Sequence, residues 1–345
     1  MRYAPFIKPG DTLGYIAPSF GCSIDPYKSC FDNALKNWQE AGYKSLLGPN
    51  AYAGEGCGIS NTPEKCAEEF MSFYLSQEPA ALLSVGGGEL MCEILPFIDW
   101  DKIKDAAPKW FMGYSDNTNI TYPLTTICDV ASIYGPCAQS FGMEPMHDFL
   151  KDAKALLEGT KLSFEGYGMY EVESLKSKDD PLVPLNATAP RNIKVFDGEK
   201  FSSDKEVHFS GRLLGGCLDS LINLLGTRFD KTRDFIERYK EYGILWFIES
   251  CELNPYEIRR AIWQMDNAGW LENCKGFLIG RPGGECDFEE LDHIRAYLEP
   301  LSKLNVPVIL DIDIGHVAPQ LPVISGAIGE VRALGQEMSV GYQLK

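Results

Sequence analysis

Along the first half of the chain, short apolar runs alternate with amphipathic stretches, the pattern of a sheet with helices on its faces. Thr12 to Ala17 predicts a strand, and Pro26 to Ala41 a helix with Phe31, Leu35 and Trp38 on one face. Ala80 to Val85 predicts a buried strand closed by Gly86, Gly87 and Gly88; Glu89 to Phe97 reads as helical and Ala131 to Tyr134 as a short strand. From Gly159 to Lys205 the periodicity fades into Pro, Asp, Ser and Lys, the composition of an irregular connection. Beyond it, GRLLGGCLDSLINLLG predicts a Gly-Gly turn and an apolar helix, and Gly243 to Glu249 a strong buried strand. Pro255 to Gly269 then reads as a helix with Ile258, Ile262 and Met265 inward, Gly276 to Ile279 as a strand, Leu291 to Leu301 as a helix and Val306 to Leu310 as a strand. A hairpin around Leu334-Gly335 closes the series. The expectation is an α/β protein of two domains, residues 1–160 and 206–345, joined by a linker over 161–205.

Composition narrows the function classes. The hydrophobic content of 45% is that of a packed globular protein, and 345 residues exceed most single cores. A net charge of −17 and the lack of any Lys/Arg stripe argue against a nucleic-acid partner. The N-terminal MRYAPFIKPGDTLGYIAPSF has no continuous apolar core of a signal peptide, and no run approaches the roughly 20 apolar residues a membrane span requires. The chain is expected to be soluble and cytoplasmic. The cysteines number 11, Cys286 among them, with no C-x-x-C pair, so reduced thiols are expected rather than disulfides or a zinc knuckle.

Candidate chemistry begins at WFMGYSDNTNI, where Ser115 stands at a strand-to-helix joint. A serine there caps a helix, or it is a nucleophile on a sharp turn. A nucleophile needs a histidine base, and the chain has only His147, His208, His293 and His316. His147 and His293 sit among charged neighbours as surface histidines, and His208 alternates with Val207 and Phe209 in a strand-like run. His316 follows an apolar strand in ILDIDIGHVAPQLP, a place where a rigid element holds a loop. No H-x-x-x-H or H-E-x-x-H pattern accompanies any of the four, so neither a metal nor another cofactor is expected. For the carboxylate that orients the base, Glu249 and Glu252 in FIESCEL and Asp311 and Asp313 near His316 all remain open. Oxyanion donors are sought in the N–H of Asp116 and in Gly87 or Gly88. Arg281 and Arg212 are candidates for holding a substrate carboxylate. Two readings compete with a serine hydrolase: a two-domain small-ligand binding module without catalysis, and a cysteine hydrolase, although no cysteine sits on a glycine-flanked elbow.

The ordered motifs SVGGGE, LPFIDWDKI, MGYSDNT, GRLLGGCLDSL, FIESCELNPYEIRR and DIGHVAPQLPVISGA resemble the LD-carboxypeptidase family of serine peptidases (S66), over nearly the whole chain from Pro9 to Gly326. Length and the ILPFIDWDKI…FMGYSDNT run resemble its microcin C self-immunity branch more than the shorter peptidoglycan-recycling enzymes. The resemblance implies a Ser115–His316–Glu249 triad, oxyanion donors at Gly87, Gly88 and Asp116, a flavodoxin-like N-terminal layer with a parallel sheet, and a smaller C-terminal swivelling β/α/β domain. It also implies no metal and a homodimer. The implied reaction is hydrolysis of an amide in a small substrate, an L,D-type murein peptide or an aminoacyl- or peptidyl-nucleotide. Two departures stand out. The immunity branch stacks a loop tryptophan on the nucleobase, whereas this chain has no Trp between Trp110 and Trp246, leaving Phe196 and Tyr170 as aromatic replacements. The turn GGGELMCE also lacks the aromatic and asparagine common in relatives.

Overall fold

A computed structural model describes residues 1–284, 288 and 290–345. Strands β1 (Thr12–Ile16), β2 (Lys44–Leu47), β3 (Pro79–Ser84), β4 (Trp110–Gly113) and β5 (Ser132–Tyr134) run parallel in the order 2-1-3-4-5, the flavodoxin-like arrangement. Helices α1 (Tyr27–Glu40), α2 (Pro63–Leu75), α3 (Trp100–Asp105), α4 (Thr118–Thr126) and α5 (Asp148–Leu157) accompany this sheet. In α1 the stripe Phe31, Ala34 and Trp38 is buried, as its spacing predicts. The 89–97 segment forms a tight 3-10 helix over Met91–Phe97 with Pro96 inside it, since a proline cannot donate the bond an α-helix needs there.

The segment expected as a linker holds four short strands. These are β6 (Ser163–Glu165), β7 (Met169–Glu171), β8 (Ala187–Pro190) and β9 (Lys194–Phe196). The pair β7 and β8 forms its own two-stranded sheet, while β6 and β9 are the two edges of the second large sheet. Strands of three or four residues are too short for their alternation to be read from sequence.

The second sheet is built on a parallel centre: β10 (Val207–Cys217), β11 (Ile244–Glu249), β12 (Cys274–Gly280) and β13 (Val308–Ile312). Helices α6 (Leu218–Leu224), α7 (Thr232–Arg238), α8 (Pro255–Asn267) and α9 (His293–Leu301) connect its strands. The strand β14 (Val323–Ser325) crosses back to pair antiparallel with β5 of the first sheet, and β15 (Ile328–Leu334) and β16 (Glu337–Gln343) return as a hairpin on β10. The Gly215-Gly216 pair is not a turn but continues β10. A Cβ on Gly215 would lie 1.7 Å from the Phe247 carbonyl oxygen and one on Gly216 2.7 Å from the Thr118 side chain, so these glycines allow close approach of neighbouring backbone and of α4.

The two halves share their cores. One apolar cluster joins Leu13, Trp110 and Ile133 to Leu213, Phe247 and Ile309, and the other joins Ile16, Phe111 and Tyr122 to Leu214, Trp246 and Trp270. Ten cysteines are free, and Cys286 lies outside the described residues. Among the described residues no helix is long and apolar enough to cross a membrane.

Candidate active site

In a 2-1-3-4-5 sheet the crevice opens beyond the carboxyl ends of the strands on either side of β1 and β3. Ser115 lies there, two residues past the end of β4 and at the start of a 3-10 turn, Ser115–Asn117, that leads into α4. Its φ is +65°, a left-handed conformation that costs a side-chain-bearing residue energy and persists only where its surroundings hold it. They do so closely: Asn117 packs where a Cβ on Gly113 would lie, 2.7 Å away, and the Ser115 N–H donates to the Tyr134 hydroxyl at 3.1 Å. The Ser115 hydroxyl does not cap the helix. Its Oγ lies 2.8 Å from Nε2 of His316.

His316 follows β13 on a loop whose Gly315 has φ +98°, and a Cβ on Gly315 would stand 2.4 Å from Cγ of Glu249. Only glycine fits that passage. Nδ1 of His316 lies 2.8 Å from Oε2 of Glu249, the fully buried last residue of β11. An ionised carboxylate can only accept, so Nδ1 carries the proton and Nε2 of the neutral ring is left to accept from the serine hydroxyl. Burial opposes charge on both partners, but the attraction between them prevails: it holds the Glu249 carboxyl below its ordinary range and pushes the His316 imidazole well above its own. The other contenders face elsewhere. Asp313 pairs with Arg281 at 2.6 Å, Asp311 with Lys194 at 3.0 Å and His293 at 2.9 Å, and Glu252 is exposed.

The second oxygen of Glu249 accepts a short bond from the hydroxyl of Tyr134, a fully buried residue at the end of β5. Burial raises the phenol's pKa far above its ordinary value, which keeps the proton on it. Tyr134 thus touches both the backbone of Ser115 and the carboxylate that holds His316. Sequence reasoning passed over it; its only signal was its place at a strand's carboxyl end before Gly135-Pro136.

Gly87 and Gly88 lie against the serine. A Cβ on Gly87 would be 3.3 Å from Cβ of Ser115, and one on Gly88 2.1 Å from Oγ of Ser19. Among the first-turn donors, the Ser115 N–H is taken by Tyr134 and that of Asn117 by the Tyr114 carbonyl, while the Asp116 N–H has no partner among the described residues. The Asp116 carboxylate anchors the turn by accepting from Ser19 Oγ at 2.6 Å, Met91 N–H at 3.0 Å and Asn119 at 2.9 Å, and burial pushes its pKa up to about 6. Ser115, His316, Gly87 and Gly88 line a cavity of about 580 Å³, and a second of about 390 Å³ shares His316, Tyr27 and Gln139 with it.

Neither arginine reaches this cavity. Arg212 is 1% exposed, its guanidinium bonded to the carbonyls of Gly326 and Lys345 and stacked 3.9 Å from the Tyr239 ring, so it ties down the C-terminus rather than a substrate. Arg281 is committed to Asp313 and lies under Tyr170, 4.3 Å from its ring centre, beside a separate cavity of about 330 Å³. Of the aromatic replacements, Phe196 is buried against Phe201, whereas Tyr170 is partly exposed beside that separate cavity. Among the remaining histidines, His147 caps α5, His208 pairs with Glu330 on the surface, and His293, expected at the surface, is largely buried against Asp311 because α9 packs it over β13. Among the described residues one His/Cys/acid group has ligand atoms within 4.8 Å of one another, Cys217, Glu249 and His316. In it the last two already bond each other, and burial raises the Cys217 thiol well above its ordinary range.

Sequence profiles of the LD-carboxypeptidase N-terminal and C-terminal domains match residues 13–135 and 210–331. The chain belongs to the LD-carboxypeptidase family. It is 27% identical over 340 residues to a Bacillus subtilis protein described as a "Probable murein peptide carboxypeptidase", covering 95% of this chain and 91% of that one. It is 23% identical to the Escherichia coli microcin C7 self-immunity protein MccF, covering 92% and 89%. Among solved structures, MccF in complex with aspartyl sulfamoyl adenosine superposes with a TM-score of 0.80 at 20% identity, over 99% of this chain and 98% of that one. The family member described here is a hydrolase of the serine carboxypeptidase type with the two-part α/β fold of MccF.

Proposed function

We propose that Ser115, His316 and Glu249 are the catalytic triad and that the protein cleaves an amide bond in small L,D-type murein peptides. The observation that carries this reading is the unbroken chain from Ser115 Oγ to His316 Nε2 and from His316 Nδ1 to Glu249, 2.8 Å at each step, ending on a serine in a left-handed elbow. In the proposed reaction Ser115 Oγ attacks the carbonyl carbon as His316 takes its proton, and Glu249 stabilises the imidazolium. The N–H groups of Asp116 and of Gly87 or Gly88 receive the oxyanion. His316 then gives its proton to the departing amine, and water, activated by the same histidine, releases the acyl group from Ser115.

A second reading is hydrolysis of aminoacyl- or peptidyl-nucleotides. It is favoured by the 580 Å³ of space on the His316 side, more than one departing amino acid needs, and by the likeness to MccF. The family resemblance supports a cytoplasmic homodimer, which light scattering on the purified chain tests. The deciding experiment offers L,D-tetrapeptides and aminoacyl sulfamoyl adenosines to the wild type and to Ser115→Ala, with products read by mass spectrometry. Cleavage of the peptides by the wild type alone is the expected result. Activity surviving in Ser115→Ala overturns the triad and leaves the non-catalytic or cysteine-based alternatives.

A further inference from the structure

Beside the nucleophile, on the side away from His316, lies a small cavity of about 100 Å³ whose walls include Ser115, Asp116, Glu89, Asp219, Ser220 and Glu252. Its charge is one-sided. None of the carboxylates of Glu89, Asp219 and Glu252 has an ion-pair partner among the described residues, and no Lys or Arg lines the cavity. Asp219 is fixed rather than floppy: its two oxygens accept the N–H groups of Cys251 at 3.1 Å and Glu252 at 2.9 Å. Ser220 is 7% exposed, lines the same space, and its hydroxyl has no hydrogen-bond partner among the described residues. Burial and then the charges of Glu252 and Asp219 raise the pKa of Glu89, as mutually facing carboxylates require when no cation stands between them.

Direction along the substrate follows from proton transfer. The departing amine must sit at His316 Nε2 to receive its proton, so the cavities that His316 lines belong to the leaving group. The acidic cavity touches Ser115 and Asp116 but not His316, which puts it on the side of the acyl group. Its volume, roughly that of three waters, suits a compact ammonium with three donors better than a planar guanidinium.

We infer that this cavity is the subsite for a side-chain primary ammonium on the residue that donates the acyl group, so that the substrate is a peptide with a lysine-like or diamino-acid residue before the scissile bond. The inference rests on the proposed serine-hydrolase reading and deepens it. Asp219 and Glu252 supply the charge, and the Ser220 hydroxyl accepts one of the three N–H donors.

The test uses N-acetyl-L-Lys-D-Ala, N-acetyl-L-norleucine-D-Ala and N-acetyl-L-Glu-D-Ala with the full chain. Affinities are measured by calorimetry on Ser115→Ala, and D-alanine release on the wild type. The lysine peptide is expected to bind at least about tenfold tighter than the norleucine peptide, and that ratio to fall to about twofold or less in Ser115→Ala carrying Asp219→Asn or Glu252→Gln. In Ser115→Ala carrying Glu252→Lys, the glutamate peptide is expected to overtake the lysine peptide. Equal affinities for lysine and norleucine, no binding of the lysine peptide, or a ratio untouched by both neutral variants overturns the subsite. Selective binding without any release of D-alanine by the wild type instead leaves the subsite standing and overturns the peptidase reading.

Discussion

Ser115 holds its hydroxyl toward His316 only because its backbone occupies the left-handed region at φ +65°. For a residue with a Cβ that conformation costs about 1–2 kcal/mol. Ser115→Gly is therefore expected to be more stable than Ser115→Ala by about 1 kcal/mol, since both lose the hydroxyl and only glycine loses the strain. Urea melts of the two variants measure it; equal midpoints would mean that the elbow stores no strain. The same local geometry explains why the stretch could not be read alone. A capping serine and an elbow serine share the sequence context, and they differ in φ and in the partner that waits 201 residues further on. At His316 the governing effect is charge. Glu249 stabilises the imidazolium, so the titration midpoint of His316 lies above the ordinary value of about 6.5, and activity that needs the neutral ring is lost as pH falls through that raised midpoint. In Glu249→Gln the charge is gone and burial, which opposes the imidazolium, is left to act, so the midpoint moves down. Tyr134→Phe keeps the charge but frees one oxygen of Glu249, so its midpoint stays above 6.5 while kcat falls. NMR titration of His316 in the three proteins, with kcat and KM beside it, separates these effects. An unchanged midpoint in Glu249→Gln would remove Glu249 as the partner.

At the scale of elements, the site is made by strand ends. β4, β11 and β13 deliver Ser115, Glu249 and His316, and β3 and β5 deliver the glycine turn and Tyr134. The long apolar runs behind β3, β11 and β13 made their existence legible, because burial on both faces leaves an unbroken hydrophobic signature. The three-residue strands of 163–196 carried none, and the role of Gly215-Gly216 was hidden because a close approach of backbone leaves no mark in the sequence. The choice of Glu249 over Asp311 and Asp313 was equally hidden, since it depends on which carboxylate the loop after β13 faces. Gly315 sets that facing. Gly315→Ala must relieve both φ +98° and a Cβ 2.4 Å from Glu249, and is expected to cost roughly 2–4 kcal/mol of stability and most of the activity. Gly335→Ala, at φ +59° in the exposed hairpin with its nearest atom 3.4 Å away, is expected to cost only about 1 kcal/mol and no activity. Thermal melts and peptide turnover on the two variants check the contrast; similar losses in both would show that left-handed strain, not the passage beside Glu249, sets the demand for glycine.

For the molecule as a whole, the decisive contacts are those no single half contains. Ser115 comes from the first sheet, Glu249 and His316 from the second, and β14 returns from the far end of the chain to complete the first. Tyr122 on α4 stacks on Trp270 at 5.4 Å, Trp270 stacks on Trp246 at 5.8 Å, and the Tyr122 hydroxyl bonds Thr232 at 2.7 Å, so one aromatic column pins the helix behind the nucleophile to the second sheet. Alternating apolar runs show that two sheets exist but not that they share a core, which is why a linker was expected where edge strands lie. If the shared core governs, the halves unfold together. Loss of activity and loss of the buried-tryptophan fluorescence are then expected at the same urea concentration, in one transition. Tyr122→Ala, which removes a fully buried ring from the column, is expected to lower both midpoints in step, by about 3–5 kcal/mol of stability. Activity vanishing well before the fluorescence change would mean that the halves part while each stays folded, and that the triad is assembled by docking rather than by folding.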